Sequence, residues 1–233
     1  MNGRPLPPGQ HAIDGFPRFG THLNEPPPAI PADHAIEVTG AVAKPVSVPL
    51  AELSALERRE MTADFHCVAG WSATGLRWEG VPFATFYRTL VEPSLRPGVS
   101  ITYVAFEGLD GFSSHMSIDD ALADDVLIAD GLDGSPLGAD HGAPARLVAP
   151  NHYGFINIKH LARVELCTEE PRGYGRPPLP ANVGLRLLGY GRLPRARVWE
   201  EERHRYLPAW SIRLVGRFLI PPIGSLSSRR SSE

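Results

Sequence analysis

Residues 64–72 read DFHCVAGWS and hold Cys67, the first of only two cysteines in the chain. Read alone, a free cysteine is a small buried hydrophobe, but as a thiolate it is a nucleophile or a ligand for a soft metal. His66 precedes it and, on a continuing strand, points to the opposite face, so the two do not easily share one metal. Further along, DHGAPARLVAP at 140–150 and YGFINIK at 153–159 add more polar chemistry. Arg146 sits inside the apolar run ARLVAP, where an unpaired charge is costly. Lys159 is one of two lysines, with Lys44, in a chain of 21 arginines.

These residues need elements to place them. Residues 60–67, EMTADFHC, read as a strand that delivers Cys67 to a glycine-containing loop, VAGWSATG. SITYVAFE at 100–107, VLIAD at 126–130, ARLVAP and HLARVEL read as further strands, with an Asp133-Gly134 turn joining a pair. HAIEVTGAV at 34–42 opens the globular pattern. Residues 50–58 suit a short helix, and Phe83, Phe86, Tyr87 and Leu90 form one apolar helical stripe. Ser117 and Asp120 suggest a capping box before a short helix at 118–123. Short helices at irregular spacing argue against regular βαβ winding, so the expected class is α+β, mixed and β-rich. The expected organisation is an extended Pro/Gly-rich arm at 1–35, a domain at 36–170 and an Arg/Pro-rich extension at 171–233.

With 233 residues the chain can bury a sizeable core. Two cysteines make no disulfide framework, and a reducing compartment is the default. The sequence shows no export pattern and no apolar run long enough to span a membrane, so a cytoplasmic location is expected. Residues 1–171 carry 22 acidic against 11 basic side chains, while 172–233 carry 12 arginines against 4 acids. Such a tail folds back over its own acidic body or contacts a membrane surface through WSIRLVGRFLIPP; no nucleic-acid motif accompanies it. GxGxxG, GxxxxGKS, HExxH and GxSxG are all missing, which leaves nucleotide, zinc-protease and hydrolase readings without support.

In order and spacing, PRFGTHL at 17–23, the strand ending in Cys67, Trp71-Ser72, WEGVP at 78–82, HGAPARLVAP and GFINIKHLARVEL resemble the molybdopterin-binding domain of the sulfite oxidase family. The resemblance runs from about Phe16 to Leu166. It implies a mixed β-rich fold and a molybdenum-molybdopterin cofactor with Cys67 as its protein thiolate. His22, His141, Arg146 and Lys159 are implied at the pterin and its phosphate, with backbone N–H groups of Asn157 and Ile158. A guanidinium and an ammonium suit such a dianion. The family's substrate arginine falls nearest Arg18, and its active-site tyrosine on Tyr153 or Tyr174; His115 and His152 are further candidates for the pocket wall. Cys167 matches no motif.

The function implied is a mononuclear molybdenum oxidoreductase that transfers an oxygen atom to or from a small oxyanion or a sulfoxide, served by an external electron carrier. Reduction of methionine sulfoxide is the enzymatic alternative. A non-catalytic, partner-binding module on the same fold is the alternative of another class.

Overall fold

The computed structural model describes residues 5–18, 26–172 and 196–202. Eleven strands and three short helices appear among them: β1 His11–Ile13, β2 Ala35–Gly40, β3 Val46–Pro49, α1 Leu50–Ser54, β4 Arg59–His66, β5 Trp71–Pro82, α2 Phe83–Phe86, β6 Tyr103–Gly108, β7 Ser113–Ser117, α3 Ile118–Ala121, β8 Leu127–Leu132, β9 Ser135–Pro136, β10 Arg146–Val148 and β11 Leu161–Cys167. The expected mixed, β-rich class is the one observed.

Two mixed sheets divide the strands. In the first, β5 is central, with β4 antiparallel on one side and both β1 (parallel) and β8 (antiparallel) along the other; β9 and β10 pair with β8. The second runs β3-β2-β11-β6-β7, with β2 parallel to β11. The main core includes Ile36, Val38, Phe83, Phe86, Phe106, Ile128, Leu147 and Val164, drawn from both sheets and α2. A strand shows alternate residues to opposite faces. On β8, Ile128 therefore joins this core, while Leu127 and Ala129 join a second cluster with Trp71, Trp78, Val148 and Cys67. Ile13 and Phe16 of the arm pack on that second cluster.

Several expectations are met and several change. The Asp133-Gly134 turn closes the β8–β9 hairpin with φ of 52° and 81°, the paired positive values that a two-residue turn with right-handed strand twist needs. The apolar stripe 83–90 starts as α2 and widens into a π-helical turn over Tyr87–Val91. VAGWSATG is not a long loop: the chain turns tightly from Cys67 to Gly70 and re-enters a twelve-residue strand at Trp71. Gly80 permits that strand's length, because a side chain there would collide with the backbone of Ile128. The arm expected to be merely extended contributes a strand, since its residues 11–13 add β1 to the sheet.

The boundary expected at 171 shifts as well, because part of the extension belongs to the body. Ala196 and Val198 are fully buried in the main core. Tyr153 N–H donates to Ala196 O (3.0 Å), and Val198 N–H donates to Asn151 O (2.9 Å). Arg197 donates to Asp120 (2.7 Å), whose other oxygen accepts from Ser117 Oγ (2.7 Å) and lies 3.8 Å from His152 Nε2. Within its own helix, Asp120 N–H donates to Ser117 Oγ, so the expected cap is present. An arginine of the basic tail thus folds back onto the acidic body; WSIRLVGRFLIPP lies outside the described residues.

Burial raises the Asp120 carboxyl, but the bonds from His152, Ser117 and Arg197 outweigh it and hold the group well below the usual carboxylate range. A depressed folded-state value means that the contribution to stability is present above the unfolded value of ~4 and is lost as pH falls below it. Asp120→Asn should therefore cost about 1–3 kcal/mol at neutral pH, with the gap to wild type closing as the solution is acidified. Urea unfolding across that pH range measures both.

Candidate functional site

Strand alternation decides where Arg146 goes. It shares a face of β10 with Val148 and so enters the second, aromatic cluster, with no exposed surface of its own. Its guanidinium lies 5.1 Å from the Trp78 ring centre, 5.6 Å from Phe65 and 5.8 Å from Phe16. Nη1 donates to His141 O (2.9 Å), Nη2 to Asn157 O (3.2 Å) and Nε to Leu147 O (3.4 Å). Each terminal nitrogen keeps a further N–H. No carboxylate among the described residues lies within ion-pair distance of it. Burial alone pushes its pKa down to about 9.

Two loops meet over this cation. Leu147 N–H donates to Ile158 O, His160 N–H to Gly142 O and Leu161 N–H to Ala145 O, which zips residues 142–147 to 158–161. Gly142, at φ 103°, makes the closure possible, since a Cβ would come within 3.0 Å of the Lys159 Cβ and 3.2 Å of the Arg146 Cβ. Lys159 Nζ donates to Asp140 O (2.9 Å). Burial first, then Arg146 and Arg18, push its pKa down to about 7. His141 stacks on Phe16 (4.7 Å, 9°), and burial, with Arg146 and Lys159, lowers its pKa too.

Arg18, His141, Arg146 and Lys159 therefore form one cluster of basic side chains. Arg18 reaches it from the arm, its Nε 3.6 Å from Asp140 Oδ1. Arg18, expected at the substrate, lies beside Asp140 and close enough to Lys159 to influence it. Asn157 differs from expectation as well. Its N–H donates to Gly154 O and that of Ile158 to Ile156 O, so both amides expected at an anion are already engaged. The Asn157 side chain braces the loop instead, accepting from Ala149 N–H (2.7 Å) and donating to Tyr153 O (3.3 Å).

Cys67 begins the turn after β4 and is buried. Its N–H donates to Trp71 O (2.8 Å) and Gly70 N–H donates to Cys67 O (3.0 Å). The sulfur accepts from Ala69 N–H at 3.5 Å. His66 turns away, its Nδ1 2.8 Å from Ser72 Oγ. Tyr153 is fully buried and forms a bridge with His66, while Gly154 N–H donates to His66 O (2.8 Å), so the tyrosine loop is bound to the strand that carries Cys67. His152 joins Asp120, and His115 lies on β7, 3.7 Å from Glu170. His22 and Tyr174 lie outside the described residues.

Among the described residues, Trp71 and Trp78 each bury an indole N–H without a hydrogen-bond partner, and His141 Nδ1 is likewise buried and unpartnered. Unpartnered donors beside a guanidinium that has no described carboxylate suit an anionic group, and a single buried thiol suits one soft-metal bond. The residues present therefore fit a phosphate-bearing metal cofactor. Sequence reasoning missed Phe16, Phe65 and Gly142; HGAP carried a signal for the glycine, whereas the rings have none beyond being aromatic.

Comparison with known proteins says which family carries this arrangement. Residues 22–175 match the family described as oxidoreductase molybdopterin binding domain, and the chain belongs to that family. It is 31% identical over 196 residues to the protein-methionine-sulfoxide reductase catalytic subunit MsrP of Xanthomonas campestris, covering 75% of this chain and 58% of the relative. An oxidoreductase of Bacillus subtilis, YuiH, is 29% identical over 75% of this chain and 84% of its own. The sulfane dehydrogenase SoxCD of Paracoccus pantotrophus shares the fold, with a TM-score of 0.53 at 21% identity over 61% of this chain and 40% of that one. The chain thus spans little more than half the length of the first of these relatives.

Two outcomes test the cluster. Because Lys159 loses its proton near pH 7, sulfate binding by the cofactor-free protein should weaken as pH rises through about 7. Lys159→Arg should shift that loss to higher pH; isothermal calorimetry reads it. Arg146→Met replaces an uncompensated buried charge with an apolar chain, so the cofactor-free protein should melt no lower than wild type while cofactor retention falls at least tenfold. Thermal melts and pterin extraction measure the two effects.

Proposed function

We propose that this molybdopterin-binding oxidoreductase domain reduces sulfoxides, with methionine sulfoxide as the substrate class. The observation that carries the cofactor part is the guanidinium of Arg146, buried against aromatic rings beside Lys159 and His141 with no carboxylate of its own. Lys159 and His141 would hold the terminal phosphate, and Arg146 would add charge from behind while joining the two loops that carry them. Cys67 would be the single protein ligand, its sulfur steadied by Ala69 N–H. When bound, the molybdenum pterin supplies oxygen-atom transfer coupled to a two-electron change at the metal.

The substrate rests on the relatives: several matched along much of the chain are named protein-methionine-sulfoxide reductases. Reduction consumes two electrons and two protons and yields a thioether and water. An external one- or two-electron carrier supplies the electrons.

Purified protein should contain stoichiometric molybdenum and oxidise reduced viologen in the presence of methionine sulfoxide, with little turnover of sulfite. Cys67→Ala should abolish turnover and alter the metal's spectrum. Turnover of sulfite alone would reverse the substrate, and a fully loaded protein inactive on both would support a non-catalytic role.

A further inference from the structure

Gln10 belongs to none of the groups described so far, yet its side chain touches the turn of Cys67 from the far end of the chain. Its Nε2 donates to Cys67 O (3.1 Å), and its Oε1 accepts from Ser72 Oγ (3.0 Å). The backbone fixes where that amide sits. Before it, Gln10 N–H donates to Pro7 O across a turn in which Gly9 has φ 70°; after it, β1 begins, and His11 N–H donates to Gly70 O (3.0 Å).

The bonding has a direction. A carbonyl only accepts, so Nε2 must face Cys67 O and Oε1 must face Ser72. The Ser72 hydroxyl then gives its one proton to Gln10, which leaves His66 Nδ1, 2.8 Å from the same oxygen, as a donor. One amide therefore joins the end of β4, the start of β5 and the carbonyl of the residue between them. Cys67 O accepts from Gln10 as well as from Gly70 N–H, so the arm and the turn both hold it.

We infer that Gln10 is a positioning residue that locks the Cys67 turn, holding the sulfur in one orientation by bonding the carbonyl of Cys67 and the hydroxyl of Ser72 together. The inference rests on Cys67 being the metal ligand, and it makes the N-terminal arm part of the ligand's support. A ligand atom held by a tight turn keeps its geometry through the groups that brace the turn.

The test uses Gln10→Glu, which keeps the side chain's shape and its acceptor but removes the donor, beside Gln10→Ala. In cofactor-free protein at fixed pH, iodoacetamide labelling of Cys67 and Cys167 is followed separately by peptide mapping. Because Cys67 is buried, its labelling rate reports opening of the turn. Gln10→Glu should label Cys67 about fivefold faster, the factor that one lost hydrogen bond corresponds to, and Gln10→Ala, which loses both bonds, faster still, with Cys167 unchanged in each. In loaded protein the paramagnetic resonance signal of the one-electron-reduced metal should shift in Gln10→Glu. Labelling of Cys67 at the wild-type rate in Gln10→Glu, or equal acceleration at both cysteines, would overturn the inference. If the ligand reading itself fails, Cys67→Ala leaves the metal spectrum unchanged while the labelling effect of Gln10 persists.

Discussion

A guanidinium taken fully out of water without a carboxylate beside it is an expensive thing to fold around, and most of the features near the site serve that one group. Three backbone carbonyls and three aromatic faces replace the water that Arg146 gives up. The carbonyls come from two loops, at His141 and Asn157, and from the strand itself, so satisfying the cation also fixes how those loops approach each other. The aromatic faces come from β4, β5 and the arm. Remove the charge and the reason for this convergence goes with it. Keep the charge, and the protein retains a standing demand for an anion, intensified by Lys159 and His141.

That demand and the thiol meet on one sheet face. The alternation of β5, β8 and β10 divides their side chains between a conventional core and a second layer, and Cys67, Trp71, Trp78 and Arg146 all belong to the second layer. The conventional core gives the sheet the rigidity that a fixed ligand needs. Burying Phe83, Phe86 and Phe106 there yields roughly 1.5–3 kcal/mol each. The second layer holds the thiol and the buried guanidinium, and its apolar rings keep water from both.

Two of the strands that carry the site, β4 and β10, were legible because each has a strong local signal, whereas the glycines of VAGWSATG hid the start of β5. ARLVAP is apolar but for one arginine, EMTADFHC is broken by Gly70 soon after it, and Asp133-Gly134 names its own turn. β1 and β7 were not legible, for two reasons. HAI is three residues long and is a strand only because Trp71, sixty residues on, offers an edge. SSHMS is polar by composition, and its central residues are buried by tertiary neighbours that no local pattern announces. The anion cluster shows the same split. Residue types at 141, 146 and 159 could be recognised, but the partner chosen by Arg18, and the amides of Asn157 and Ile158 spent on the loop's own carbonyls, depend on loop geometry.

Both ends of the described chain are stitched into the neighbourhood of the site. Residues 11–13 complete a sheet edge, Phe16 walls the arginine, and 196–198 clasp the loop of Tyr153. For anyone preparing the protein, the termini are thus poor places to trim. A cut at residue 20 to remove the proline-rich arm would take away a strand, an aromatic wall and the partner of Asp140, and a cut at residue 171 would unfasten the loop bonded to the strand that leads to Cys67. A minimal domain drawn from sequence similarity alone would begin and end in the wrong places.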